Sequence, residues 1–220
     1  MLPIEKYVEF KRNLPENVTL VAVSKTRTAE EIMALYDEGQ RHFGENRVQE
    51  LIAKQPNLPA DVSWHLIGHL QTNKVKFIAP FVSLIHSVDS LKLLKVINKE
   101  AQKNNTVIDC LLQFFIAEEE TKFGLDFDEA TQILSSEDFH QFNNIRIKGV
   151  MGMATFTDDV AQVRREFKNL KSIFESLKKD FFADEDGFCQ ISMGMSDDYH
   201  IAIEEGSTIV RVGSALFGER

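Results

Sequence analysis

The sequence predicts a single closed (β/α)8 barrel of the TIM type, an α/β fold. Three observations carry this expectation. Short apolar runs alternate with longer stretches of helical spacing, there are eight such runs, and no linker or low-complexity segment interrupts the series. Parallel strands need long crossover connections, which the helical stretches supply, and eight strands are enough to close a barrel. An open doubly wound sheet is the competing architecture.

The chain opens on an amphipathic segment, residues 3–12, an extra helix ahead of the first strand. The first apolar run is Thr19-Leu20-Val21-Ala22-Val23, and Ala29, Ile32, Met33 and Tyr36 then recur at helical spacing behind Thr28 and Glu31, which are spaced as a capping box. The next runs are His42-Phe43-Gly44, Trp64-His65-Leu66-Ile67, residues 82–86, residues 107–113 and residues 145–151. A long stripe of Val163, Phe167, Leu170, Phe174 and Leu177 precedes the seventh run, Phe188-Cys189-Gln190-Ile191. Ser196, ahead of Asp197 and Asp198, signals a helix start, since acids suit the positive end of a helix dipole. The eighth run is Ile209-Val210-Arg211-Val212; the seven residues 214–220 are too few for a full outer helix, so the opening helix is expected to cover that part of the barrel.

At 220 residues one domain over 1–220 is expected. With 43% hydrophobic and 27% charged residues, composition excludes a disordered chain, a collagen-like repeat and a disulfide scaffold. The 25 Lys+Arg against 34 Asp+Glu leave a net charge of −9, which argues against a broad nucleic-acid surface, so any bound anion must be captured locally. Cys110 and Cys189 lie in apolar stretches without the spacing of a zinc site, and both are expected as buried thiols. The N-terminus has no apolar signal core and no run reaches membrane-spanning length, so a cytoplasmic protein with no membrane partner is expected.

Sites on such barrels form where the strands end. Lys25 follows the first strand, where partial burial would favour a nucleophilic amine able to form a Schiff base; a surface lysine is the plain alternative. Ser192, Gly194, Gly213 and Ser214 follow strands seven and eight, where loop amides often bind phosphate, although tight turns would use the same residues. Arg211 sits inside an apolar strand and must find a partner, either a ligand or an acid such as Glu204 or Glu205. His65, His69 and His86 lack the carboxylates or thiols of a ligand cluster, so no metal is expected, and strand-end histidines held by hydrogen bonds are. The run Glu118-Glu119-Glu120 reads as a solvated loop, and Lys148, Lys178 and Lys179 as surface.

Five segments resemble the pyridoxal phosphate homeostasis protein family, in family order from residue 21 to 218: Val21 to Thr26, Phe43 to Glu50, Trp64 to Lys74, Ser192 to Asp198 and Val210 to Gly218. The resemblance implies a fold-type III barrel similar to the N-terminal domain of bacterial alanine racemase, with pyridoxal 5′-phosphate (PLP) held as a Schiff base on Lys25. It further implies Arg211 facing the pyridine nitrogen, Ser192, Gly213 and Ser214 on the phosphate, and Asn46 near the ring. An arginine does not give up its proton, so a pyridine nitrogen facing it stays unprotonated and the ring is a weak electron sink.

A vitamin B6 carrier without robust catalysis of its own is therefore the leading expectation, a monomer that buffers PLP, takes other B6 vitamers and supplies PLP-dependent apoenzymes. A PLP-dependent amino-acid racemase is the alternative; it needs a second acid/base, which alanine racemase draws from a separate β domain and which here would have to be His65, His86 or a partner chain. A cofactor-free Schiff-base aldolase ranks last, because it leaves Arg211 and the phosphate-like loops without a role.

Overall fold

The computed structural model describes residues 4–118 and 124–218. Eight parallel strands close into a barrel in sequence order: β1 (Thr19–Val23), β2 (His42–Glu45), β3 (Ser63–Leu66), β4 (Val82–Val88), β5 (Ile108–Gln113), β6 (Ile145–Met151), β7 (Gln190–Ser192) and β8 (Ile209–Val212). Closure is made by β1 against β8, with Val21 opposite Arg211. The crossovers carry the helices. These are α1 (Ile4–Asn13), α2 (Ala29–Asp37), α3 (Val48–Lys54), α4 (Val75–Ile78), α5 (Leu91–Lys103), α6 (Phe127–Leu134), α7 (Glu137–His140), α8 (Val160–Phe181), α9 (Tyr199–Glu204) and α10 (Ser214–Phe217).

Period-two alternation divides the core in two. Leu20, Ala22, Phe43, Trp64 and Leu66 point outward and pack under the helices, whereas Val21, Leu84, Leu111, Met151 and Ile209 fill the barrel interior. The expected capping box holds α2: the Glu31 N–H donates to Thr28 Oγ1 at 3.3 Å, and the Thr28 N–H to Glu31 Oε2 at 2.7 Å. After β8 the chain makes only the four-residue α10, and α1 lies against it, as expected.

Three expectations are corrected. The seventh strand begins at Gln190, not Phe188; Phe188 is instead stacked with Phe174 and Phe182 between α8 and the barrel. Cys189, just before that strand, is exposed, while Cys110 is buried as expected. Ser196 does not start a helix. The helix starts at Tyr199 after Asp198, and the Ser196 hydroxyl accepts the Gly213 N–H at 3.3 Å instead. Of the acidic run, Glu119 and Glu120 lie outside the described residues; Glu118 is exposed.

Candidate functional site

The strand C-termini open on a cavity of about 660 Å³. Lys25, Asn46, Arg211, Gly213 and Ser214 all line it. Ser192 is fully buried and lies behind that wall rather than on it. The reason is register: Ser192 pairs with Met151, whose side chain faces the barrel interior, so Ser192 is the last inward residue of β7 and the loop begins after it. Ser196, read from the sequence as a helix start at the end of the seventh strand, adds a hydroxyl to the cavity wall alongside Ser214. Gly194 has φ +95, and a Cβ there would sit 2.6 Å from the Ala202 Cβ, so this turn under the wall requires glycine.

Lys25 is placed by a strap that the sequence did not reveal. Ser24 Oγ donates to Glu45 Oε1 at 2.6 Å, and Lys54 Nζ donates to both Glu45 Oε1, at 2.7 Å, and the Ser24 carbonyl, at 2.8 Å. On the other side of Lys25, the Thr26 N–H donates to Glu50 Oε2 at 2.7 Å, with Thr26 at φ 66. Both residues flanking the lysine are thus tied to β2 and α3. Glu45 is fully buried; burial pushes its carboxyl up, with Lys54 and Ser24 pulling the other way. Lys25 itself makes no ion pair among the described residues, leaving its amine to the cavity. Asn46 is set by the close passage of the next strand end, since a Cβ on Gly68 would lie 2.3 Å from the Asn46 carbonyl oxygen.

Arg211 is 4% exposed and has no carboxylate within 4 Å among the described residues. Its guanidinium donates to Ser192 Oγ at 2.6 Å and to the Gly152 carbonyl at 3.0 Å. Burial pushes it down to about 10, with the Asp198 charge acting against this. The acids considered from sequence as partners serve elsewhere: Glu204 pairs with Arg164 at 2.6 Å, and Glu205 with the same guanidinium. A buried cation with no carboxylate in contact is costly unless something else answers its charge.

The histidines divide by position. His69 stands at the exposed rim, 3.4 Å from Asp89. His65 and His86 lie inside the barrel and do not line the cavity; they bond to each other at 2.8 Å, and outward to His42 and Ser192.

A family model described as the N-terminal domain of alanine racemase matches residues 5–220. A pyridoxal phosphate homeostasis protein of Aquifex aeolicus (strain VF5) is 40% identical over 202 residues, covering 91% of this chain and 86% of that one. The chain belongs to the pyridoxal phosphate homeostasis protein family. A family member from Pongo abelii is 39% identical over 220 residues, covering 95% of this chain and 79% of its own. Among solved structures, PipY of Synechococcus elongatus PCC7942, described with PLP bound, is 35% identical, with a TM-score of 0.87 and coverage of 97% of this chain and 99% of PipY. An alanine racemase of Clostridium difficile 630 shares the barrel at 17% identity and TM-score 0.75, with 98% of this chain matching 56% of that one. The relatives in this family are named for homeostasis rather than for a reaction.

Proposed function

We propose that the mouth of this barrel binds PLP, attaches it reversibly through Lys25, and stores or delivers it without turning over a substrate. One observation carries the reading: Lys25 and the buried Arg211, which has no carboxylate in contact among the described residues, share a single cavity with the Gly213–Ser214 turn. The donor set fits the group. PLP supplies an aldehyde that an amine captures reversibly, a pyridine nitrogen that accepts a hydrogen bond, and a phosphate.

Lys25, whose neighbours are fixed on both sides by hydrogen bonds, would supply the amine that captures the aldehyde with loss of water. Arg211 would donate a hydrogen bond toward the ring nitrogen and, because a guanidinium does not give up its proton, would leave that nitrogen unprotonated. Gly213 and Ser214 would hold the phosphate, with the Ser196 hydroxyl beside them, while Ser192 acts behind the wall by holding Arg211. A Cβ on Gly213 would come within 3.3 Å of the Val23 carbonyl oxygen, so glycine keeps this corner tight.

Carriage rather than turnover is favoured by the placement of the histidines. Racemisation needs a second acid/base set against the lysine; His65 and His86 are spent on each other inside the barrel, and His69, the histidine that lines the cavity, stands at its exposed rim against Asp89. No helix among the described residues is long and apolar enough to cross a membrane. The reading extends to other B6 vitamers as ligands and to PLP-dependent apoenzymes as recipients.

The test is borohydride reduction of the protein mixed with PLP, then peptide mass mapping. A reduced adduct on Lys25, absent from Lys25→Ala, supports the reading; an adduct confined to another lysine overturns it.

A further inference from the structure

Arg211 is held at the mouth by neutral oxygens, and one of them, Ser192 Oγ, also ends a buried file of histidines. His42 Nδ1 lies 3.0 Å from His65 Nε2, His65 Nδ1 2.8 Å from His86 Nε2, and His86 Nδ1 2.9 Å from Ser192 Oγ. The file starts at the first residue of β2, at the base of the barrel, and ends at the last residue of β7, at its mouth. His65 and His86 are 3% and 0% exposed, whereas His42 is half-buried. We infer that His42, His65 and His86 are positioning residues for Arg211, acting through Ser192 as a hydrogen-bond file of one fixed direction.

The direction follows from the chemistry of the ends. A guanidinium only donates, so Ser192 Oγ accepts from Arg211. The one hydrogen of that hydroxyl then goes to its other partner among the described residues, His86 Nδ1. Burial keeps both inner rings neutral: His65 is pushed down to about 3 and His86 well below the ordinary histidine value, with His42, His65 and Arg211 adding like-charge opposition along the file. A neutral imidazole offers one donor and one acceptor. His86 therefore donates from Nε2 to His65 Nδ1, and His65 from Nε2 to His42 Nδ1, with Ser63 Oγ at 3.4 Å as a second acceptor for that last hydrogen. The reverse direction would leave the buried Ser192 hydroxyl hydrogen without an acceptor.

The file couples the two ends of the barrel. His42, which is half-buried, feels the Lys11 charge of α1 and bonds to His65, is the end nearest solvent. Protonating it would place a hydrogen on Nδ1 against the hydrogen on His65 Nε2. Proton uptake at the base is thus opposed by Arg211 at the mouth, and by reciprocity loosening the mouth end must ease it.

The test uses the ligand-free, 15N-labelled full chain, so its failure is distinguishable from failure of PLP attachment at Lys25. Imidazole nitrogen shifts should show the Nε2–H form at both His65 and His86, with hydrogen-bond couplings between the facing nitrogens. The Nδ1–H form, or a mixture, at either ring overturns the inference. Ser192→Ala then removes the hydroxyl while leaving every charge in place. The His42 titration midpoint should rise by about one pH unit as the inner rings admit the Nδ1–H form; an unmoved midpoint with unchanged tautomers overturns the coupling. Should that variant fail to fold, the wild-type tautomers decide alone.

Discussion

Two buried histidines make this protein sensitive to acid in a way its surface charges do not. His65 and His86 stay neutral in the fold, while in the unfolded chain they titrate near the ordinary value of 6.5. The unfolded state therefore binds more protons below that pH, and stability falls as the pH drops from about 6.5 toward the His65 value of about 3. At pH 5 each ring costs about 2 kcal/mol relative to neutral pH. Urea unfolding at pH 7 and pH 5 should show this loss, and His65→Gln should shrink it; an equal loss in the variant would assign the acid sensitivity to other groups. At Arg211 the expected outcome concerns the ligand: Arg211→Glu should shift the absorption spectrum and weaken the affinity of bound PLP, and an unchanged spectrum and affinity would remove it from the ring. That Arg211 would be inward and in need of a partner was legible, because an arginine between Val210 and Val212 in a strand has to be answered. Its partners were not legible. Ser192 and Gly152 meet it through barrel register, and register is set by how strands stagger, which one strand's sequence does not contain.

Elements hold the mouth through a few carboxylates. On α8, Glu166 is 3% exposed and accepts from the Thr155 N–H at 2.7 Å, the Thr155 hydroxyl at 2.7 Å and the Glu118 N–H at 3.0 Å, so one helix clamps the loops after β5 and β6. Burial pushes this carboxyl up, but those bonds together hold it below the usual range. Glu166→Ala should cost roughly 2–3 kcal/mol and speed amide exchange at Thr155; exchange left at the wild-type rate would show that the loop stands without the clamp. The strap from α3 behaves likewise. Lys54→Met leaves the buried Glu45 carboxylate without its cation and should cost about 3 kcal/mol by urea unfolding, a loss that should diminish at low pH once Glu45 is protonated. The helices and strands were largely legible from periodicity, down to the Thr28 capping box. The strap was not, because Ser24 follows β1, Glu45 ends β2 and Lys54 ends α3, and their meeting depends on how β1 and β2 stagger and where α3 folds back. Cys189 and Ser192 mark the same limit: the apolar run around them blurred where β7 begins and ends, and a shift of one or two residues decides which side chains face inward.

For the whole molecule, binding is a stability term. At a PLP concentration one hundred times its Kd, linkage adds about 2.7 kcal/mol, which for a protein of this size raises Tm by roughly 5–10 °C. Calorimetry should show that rise in the wild type and a smaller one in Lys25→Ala; equal shifts would mean that the lysine contributes nothing to holding the ligand. With a net charge of −9, the capture of an anion rests on the mouth rather than on the overall field, and this much composition already required. The closure of β1 onto β8 also has a consequence for biosynthesis. Thr19 finds its partner Ile209 about 190 residues further along the chain, so at ordinary translation rates the first strand waits roughly 10 to 40 s with an unpaired edge. The strand that finally covers that edge is the one carrying Arg211. Lys25 is therefore made early and Arg211 late, and the cavity that both line is complete only with the final seam.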